Sequence, residues 1–409
     1  MSAKERIVCG LDVGSAKICA VVARMHADGK LEVIGSGYSG SRGLTKGVIV
    51  DLEQTVASIR RAAEELESES GFALDWAVTG ISGGHVQSEY VRGAIPVEGK
   101  RYEVTAKDMR QVIQAARCSL SHPDREVLHV FPQEFWLDGH KGVQNPVGLI
   151  GTKLFANVHV VTADGVLIQD LINAVNKARV SVRTVVCQPI ASGEAVLTLD
   201  EKELGTVVID IGAGTTGIAL FLRNSIAFTS VIPVGGAHFT RDLVEGISAP
   251  ADEAERVKIE LGSVLLDQFD DQESITVRQF GTRGPRGFEL KEIRRILHAR
   301  AEELLQLVKR EIVRSGLQDQ LVAGVVLTGG GSMLGGIRDL AEEMLEIPVR
   351  LGGPQGLAGL SDTLTRPECS GAIGLALLEA QAIEREKKRG ATSLSPPTLS
   401  DRILEWLTG

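Results

Sequence analysis

The chain predicts an α/β fold of two related lobes, each a mixed sheet covered by helices, and three observations carry that expectation. First, two segments repeat one design: Cys9-Gly-Leu-Asp-Val-Gly-Ser-Ala-Lys-Ile-Cys-Ala-Val-Val22 and Thr206-Val-Val-Ile-Asp-Ile-Gly-Ala-Gly-Thr-Thr-Gly-Ile-Ala-Leu-Phe221. Each reads apolar run, Asp, apolar residue, Gly, a small or hydroxylic turn, and a second apolar run, which is a β-hairpin with a tip free of bulk. Second, each copy is followed by a further strand and a helix. Third, a late buried strand runs into glycines at Gly324-Val-Val-Leu-Thr-Gly-Gly-Gly-Ser-Met-Leu-Gly-Gly336.

In the first half, Leu31–Ser36 reads as a third strand, and Val56, Ile59, Ala63 and Leu66 repeat at helix spacing within Asp51–Ser68. Trp76–Ile81 reads as another strand. In the second half, Ser225–Val234 supplies the third strand and a helix is expected from Ala251 to Gln268. The halves differ between residues 83 and 162. That stretch has strands at Val127–Phe131 and Asn157–Val161 and a helix at Thr105–Leu120 capped by Thr105, so it reads as an inserted subdomain. The alternative is one larger continuous sheet. The expected division is a first-lobe core of residues 1–82 with 163–197 and 366–385, the insertion 83–162, and a second lobe 198–365 that includes a subdomain at 237–312. A helix with a small-residue face, Ser370–Glu384, closes the fold.

Glycine at a hairpin tip lets backbone N–H groups approach an anion, and hydroxyls add donors. An Asp before each tip sits where a metal riding on phosphates is held, directly or through water. Two such hairpins imply a nucleotide pinched between the halves. A glycine turn opening a helix leaves room for a flat base or ribose, the alternative being a tight turn with no ligand.

Composition narrows the class. Hydrophobic residues make up 43% of the 409 and aromatics 4%, so the cores are aliphatic. The net charge of −9 argues against a nucleic-acid binder that relies on overall positive charge. Cys9, Cys19, Cys118, Cys187 and Cys369 are dispersed, with no CxxC, and read as reduced thiols. The N-terminal residues lead straight into a strand and no long apolar run follows, so a cytoplasmic protein without a membrane span is expected.

The order of these features resembles the actin, hexokinase and DnaK-type ATPase fold, and within it the FtsA family of bacterial division proteins. The resemblance rests on Ser41-Arg-Gly-Leu-Thr-Lys-Gly-Val-Ile-Val-Asp51, Ile81-Ser-Gly-Gly-His-Val86, Asn145-Pro-Val-Gly148, Asp210-Ile-Gly-Ala-Gly-Thr-Thr216, Pro233-Val-Gly-Gly-Ala-His-Phe-Thr240 and Val326-Leu-Thr-Gly-Gly-Gly331. It implies an actin-like fold with an FtsA-type insertion, ATP and Mg2+ as ligands, self-polymerisation, binding of the FtsZ C-terminal tail and other division proteins, and a place on the cytoplasmic face of the inner membrane at the division site.

By motif, the resemblance puts Asp12 and Asp210 beside the metal. Gly14, Ser15, Ala16 and Lys17 would face the phosphates from one lobe, and Gly212, Ala213, Gly214, Thr215 and Thr216 from the other. Gly235 and Gly236 would lie by the ribose. Glu255 and Lys258, three apart on one helix face, would contact ribose or base, or else form a surface ion pair. Gly329, Gly330, Gly331 and Ser332 would close the base pocket. Lys17 would reach a phosphate, or else point to solvent. One departure concerns catalysis. DnaK-type chaperones and MreB carry an acidic residue before the crossover proline, and here it is Gln188. Glutamine orients water without taking its proton, and Glu194 is the other water-positioning candidate. Tight binding and slow hydrolysis are expected.

Arg286, Arg294, Arg295 and Arg300 fall where the family places its FtsZ-binding subdomain, and an apolar, acidic tail peptide suits them, the alternative being a solvated helix edge. Residues 386–398 read as a disordered linker and 399–409 as an amphipathic helix. Leu399, Ile403, Leu404, Trp406 and Leu407 share its apolar face, which suits a lipid headgroup boundary or docking on protein. Its only cationic cluster, Lys387, Lys388 and Arg389, lies upstream, so apolar insertion is expected to outweigh attraction to anionic lipid. The rival function, a sugar or small-molecule kinase of the same fold, leaves that tail unexplained.

Overall fold

The computed structural model describes residues 6–98, 101–120, 122–266, 274–281 and 284–389. The expected amphipathic helix, with Leu399, Ile403, Leu404, Trp406 and Leu407, and the linker from residue 390 onward lie outside the described residues.

The first lobe opens with β1 (Arg6–Val13), β2 (Lys17–Met25) and β3 (Leu31–Gly40), followed by a small hairpin of β4 (Leu44–Thr45) and β5 (Val48–Ile49). Helix α1 (Leu52–Ser70) comes next, then β6 (Trp76–Ile81). Asp51 caps α1 by accepting from Gln54 N, and Gly71 in the left-handed region ends it. The insertion contributes β7 (Gln87–Pro96), α2 (Ala106–Cys118), β8 (Arg125–Leu137), β9 (His140–Val143) and β10 (Lys153–Asp164). Thr105 and Asp108 form a reciprocal capping box on α2. The chain returns through α3 (Gly165–Lys177), β11 (Ser181–Cys187) and α4 (Gln188–Val196).

The second lobe runs α5 (Leu199–Leu204), β12 (Thr206–Ile211), β13 (Thr216–Leu222), β14 (Ser225–Ile232), α6 (Gly236–Ile247) and α7 (Ala251–Leu261). It continues through β15 (Ser274–Val277), β16 (Arg286–Glu289), α8 (Leu290–Ser315), β17 (Val325–Thr328), α9 (Ile337–Leu345) and β18 (Val349–Leu351), before α10 (Ser370–Arg389).

The duplication is visible in the sheets. The first lobe orders its strands β11-β6-β1-β2-β3 and the second β18-β17-β12-β13-β14. In both, the central strand pairs antiparallel with the next strand in sequence and parallel with a later one. The insertion has its own sheet, β7-β10-β8-β9, so the continuous-sheet alternative fails. This sheet covers the exposed edge of β14. Ser88 Oγ donates to Thr229 O (2.6 Å), Gln133 Nε2 to Ile226 O (2.8 Å), and the Tyr90 hydroxyl to Ala227 O. An uncovered edge would present unpaired backbone groups.

Each lobe has its own aliphatic core. Leu11, Ile18, Ile59, Leu66 and Ala372 are fully buried in the first, and Ile209, Ile218, Leu243, Leu297 and Leu304 in the second. Three helix boundaries differ from expectation. Helix α7 stops at Leu261 because Gly262 turns extended (φ −68°, ψ 130°). Helix α10 runs to Arg389, so residues 386–389 are helical and not linker. Glu384, Arg385, Glu386, Lys387 and Lys388 are good helix formers, and Gly390 is the first breaker. The second and third glycines open a single 3-10 turn, Gly330–Met333, and α9 starts only at Ile337. The glycines therefore do not open an α-helix.

Candidate nucleotide-binding cleft

The duplicated sheets bring the tips of hairpins β1–β2 and β12–β13 against each other. Each tip is closed by the same bond, Gly14 N to Lys17 O (3.1 Å) and Gly212 N to Thr215 O (2.9 Å). A Cβ on Gly214 would stand 2.7 Å from Ser15 Oγ and 2.9 Å from Lys46 Cα, so only glycine lets the tips meet this closely. The start of α6 docks on the second tip, where Gly236 N donates to Gly212 O and Ala237 N to Ala213 O, both at 2.8 Å.

Asp12 and Asp210 occupy matching places, each one residue before the end of its strand. Burial raises the Asp12 carboxyl to about 7, the negative charge of Asp210 adds to the rise, and Lys17 opposes it. Asp210 is also raised by burial, but a hydrogen bond from Ser192 Oγ (2.5 Å) and the Lys17 charge hold it down. Two carboxylates pressed together in a cleft with one nearby lysine favour a further cation. Among the described residues no cluster of three or more His, Cys, Asp or Glu could hold a metal alone. A magnesium ion here would combine these two carboxylates with ligand oxygens and water, which matches its usual coordination.

Lys17 is not a solvated hairpin lysine. Its Nζ lies 3.7 Å from Glu368 and 3.7 Å from Cys369 Sγ, with the Tyr38 ring 5.5 Å away. Its charge acts on both aspartates. The hydroxyls of the second tip have other work than expected. Thr216 is fully buried and its Oγ1 donates to Val234 O (2.8 Å), while Thr215 Oγ1 pairs with Ser82 Oγ (3.0 Å) from the first lobe. The N–H of Gly212 closes the tip, so the N–H groups of Ala213 and Gly214 remain as its candidate anion contacts. Ala16 is exposed beside them.

Gln188, the first residue of α4, is buried and its Oε1 lacks a partner. A Cβ on Gly371 would lie 1.8 Å from Gln188 Nε2 and 2.9 Å from Asp12 Oδ2, so the glutamine amide and the aspartate flank one glycine. The unpaired Oε1 lies on the Gly80 side, where a Cβ would stand 1.5 Å from it, so the amide nitrogen is the end that faces Asp12. Glu194 is not a second candidate. Its carboxylate accepts from Lys202 Nζ (2.7 Å) and Gln381 Nε2 (2.8 Å), a structural pair on the other side of the turn.

On the far wall, Lys258 Nζ bridges Glu255 Oε2 (2.7 Å), Thr240 Oγ1 (2.9 Å) and Gly236 O (3.1 Å), and Thr240 also donates to Glu255. The pair thus tethers α7 to the start of α6 beside Gly235 and Gly236. Gly329, with φ +80°, packs so closely that a Cβ would lie 2.2 Å from Asp210 Oδ1. Gly331 packs on Ile211, whereas a Cβ on Gly330 would face Glu368 at 3.7 Å. Ser332 is buried with its Oγ donating to Gly329 O (2.7 Å), so it shapes the loop from within. The residues missed from sequence are Ser192, Gly371 and Glu368. Their positions depend on how α4 and α10 pack, and no local motif signals them.

Comparison with known proteins identifies the family. A model described as "Cell division protein FtsA" matches residues 207–374, and one described as "SHS2 domain inserted in FTSA" matches residues 83–162. A Cell division protein FtsA from Pseudomonas aeruginosa is 37% identical, covering 99% of this chain and 98% of its own. One from Borreliella burgdorferi is 36% identical, covering 98% of each. The chain belongs to the FtsA family. The Escherichia coli K12 member is 34% identical over 91% of this chain and 90% of its own. Among solved structures, a PilM–PilN type IV pilus biogenesis complex aligns with TM-score 0.65 at 19% identity, over 90% of this chain and 97% of that one. MreB5 of Spiroplasma citri bound to AMPPNP aligns with TM-score 0.58 at 16% identity, over 95% and 100%. These likenesses show the actin-like fold.

The arginines assigned to partner binding do not form one exposed edge. Arg294 is buried within the α8 packing. Arg300 donates through Nε and NH2 to Asp242 (2.5 and 2.9 Å) and also pairs with Glu303, so its charge is already neutralised. Arg286, 5.0 Å over the Phe288 ring, and Arg295 are exposed.

Proposed function

We propose that this FtsA-family chain binds ATP with magnesium between its lobes, polymerises at the cytoplasmic face of the cell membrane, and anchors the tail of FtsZ there. Its cell-division role and actin-like fold follow from the family. The nucleotide reading is supported by one observation, the convergence of Asp12 and Asp210 below two hairpin tips that meet only because Gly214 lacks a side chain. A magnesium ion would neutralise phosphate charge at this pair. Asp12 and Asp210 would hold it, Lys17 would offset the remaining negative charge, and the tip backbone N–H groups would receive the phosphate oxygens. Gln188, whose side-chain amide lies beside Asp12, would orient the attacking water without removing its proton, which suits slow turnover. Glu255 and Lys258, already paired, would border the adenosine.

Arg286 and Arg295 are the cations left for an acidic, apolar FtsZ tail peptide. The terminal segment with Trp406 would attach the polymer to lipid. No helix among the described residues is long and apolar enough to cross a membrane. A helix of roughly ten residues is unstable alone, so it would fold as it inserts and give a weak anchor made firm by many copies. The sugar-kinase reading has no observation in its favour. Sedimentation with phospholipid vesicles tests the proposal. The full chain is expected to pellet with vesicles, more so with ATP, and to carry FtsZ tail peptide with it. Trp406→Glu is expected to stay in solution while still binding ATP and peptide. If Trp406→Glu pellets like the parent, membrane attachment through this segment is wrong.

A further inference from the structure

The segment Ser41–Asp51 has no role in the reading above, and the structure gives it a demanding place. It forms the β4–β5 hairpin, whose tip is Lys46-Gly47. That tip is wedged where the two lobes meet. Gly47 N donates to Ser15 Oγ (3.3 Å), and a Cβ on Gly47 would lie 1.7 Å from Ser82 O. The Cα and N of Lys46 lie 2.9 and 3.0 Å from where a Cβ on Gly214 would stand. The Lys46-Gly47 backbone therefore borders both tips, Gly47 at Ser15 and Lys46 at Gly214.

Lys46 itself is in the left-handed region, with φ +50°. A residue with a side chain seldom adopts it, and such strain persists only where the surroundings impose it. The side chain is exposed and has no carboxylate partner among the described residues. Across the cleft its charge reaches His238 at the start of α6. Burial lowers that imidazole's pKa, and the Lys46 ammonium pushes it the same way. A lysine with no carboxylate partner among the described residues is thus anchored by its backbone at Gly214, with its charge felt at the start of α6.

We propose that Lys46 is a specificity-determining residue of the cleft, contacting the terminal phosphate of a nucleoside triphosphate and so distinguishing triphosphate from diphosphate. This rests on the nucleotide reading above. A diphosphate held along the glycine tips leaves the gap before Lys46 open. A third phosphate extends into it and meets a compact, unpaired ammonium, which acts on phosphate as a point charge. Because the hairpin belongs to the first lobe and borders Gly214 of the second, the same contact would favour the closed arrangement of the tips.

The test is isothermal titration of the full chain with Mg-AMPPNP and with Mg-ADP. The variants are Lys46→Ala and Lys46→Gly, with Lys30→Ala as an exposed lysine away from the cleft. Both Lys46 variants are expected to lose about tenfold in triphosphate affinity and less than about twofold in diphosphate affinity, while Lys30→Ala matches the parent. Lys46→Gly relieves the left-handed backbone, so its melting temperature should equal or exceed the parent's, which separates lost contact from lost fold. Equal loss for both nucleotides, or no loss for either, overturns the assignment of Lys46 and leaves the nucleotide reading standing. A parent that binds neither nucleotide overturns both.

Discussion

The hairpins β1–β2 and β12–β13 share topology, tip closure and the position of an aspartate, yet they use their polar groups differently. In the first, Lys17 lies within reach of both aspartates, and no hydrogen-bond donor reaches Asp12 among the described residues. In the second, Ser192 holds Asp210, and both threonine hydroxyls are committed to Ser82 and Val234. The first hairpin contributes charge and the second contributes shape. Duplication has kept the backbone and divided the chemistry, so the two copies should answer substitution differently.

The largest difference is expected at the tip glycines. A side chain on Gly214 runs into Ser15 and Lys46 of the other lobe, whereas one on Gly14 meets Lys17 O (2.8 Å) of its own hairpin. Gly214→Val should hold the tips apart and weaken ATP binding about 100-fold, roughly 2.7 kcal/mol, with Gly14→Val costing about tenfold. Equal losses, measured by equilibrium binding, would break the claim that the two tips answer substitution differently.

A middle-sized effect concerns pH. The Asp12 carboxyl is raised to about 7, above the ordinary value of 3.8. An acid with a raised folded pKa binds more protons folded than unfolded between those values, so it lowers the stability of the empty chain as pH rises through that window. Metal-linked ATP affinity moves the opposite way, because the carboxylate must be free of its proton. From pH 6 to 8, Mg-ATP should bind more tightly and the empty protein should melt lower, and Asp12→Asn should flatten both trends. Ser192→Ala should raise the Asp210 pKa further and give the second hairpin the same sensitivity. Parallel pH profiles for parent and Asp12→Asn would contradict the asymmetry.

The smallest effect is expected at Thr216. Its hydroxyl satisfies Val234 O inside the second lobe, so Thr216→Val should cost about 1 kcal/mol of stability and leave ATP affinity unchanged. A loss of ATP affinity without a loss of stability would return that hydroxyl to the phosphate site.

The repeated apolar–Asp–Gly design announced both hairpins and their aspartates, because strand periodicity and tip chemistry are local. The cap at Thr105 and the strand Trp76–Ile81 were legible for the same reason. What lay hidden depends on contacts across the chain. Glu194 and Lys202 are close in sequence, but nothing local shows that Gln381 completes their pair. Arg300 looked like an open cation until α6 brought Asp242 against it. Arg294 fell at a position that the packing of α8 buries. Helix ends failed where one residue decides: Gly262 cut α7 short, while the run from Glu384 to Arg389 carried α10 onward.

The central claim is that Asp12 and Asp210 together hold a metal that rides on phosphates between the lobes. Titration of the parent with ATP in the presence and absence of magnesium, repeated with the Asp12→Asn, Asp210→Asn double variant, tests it most directly. The account predicts that magnesium tightens ATP binding to the parent and leaves the double variant's weaker binding unchanged. An equal response to magnesium in both proteins would contradict it.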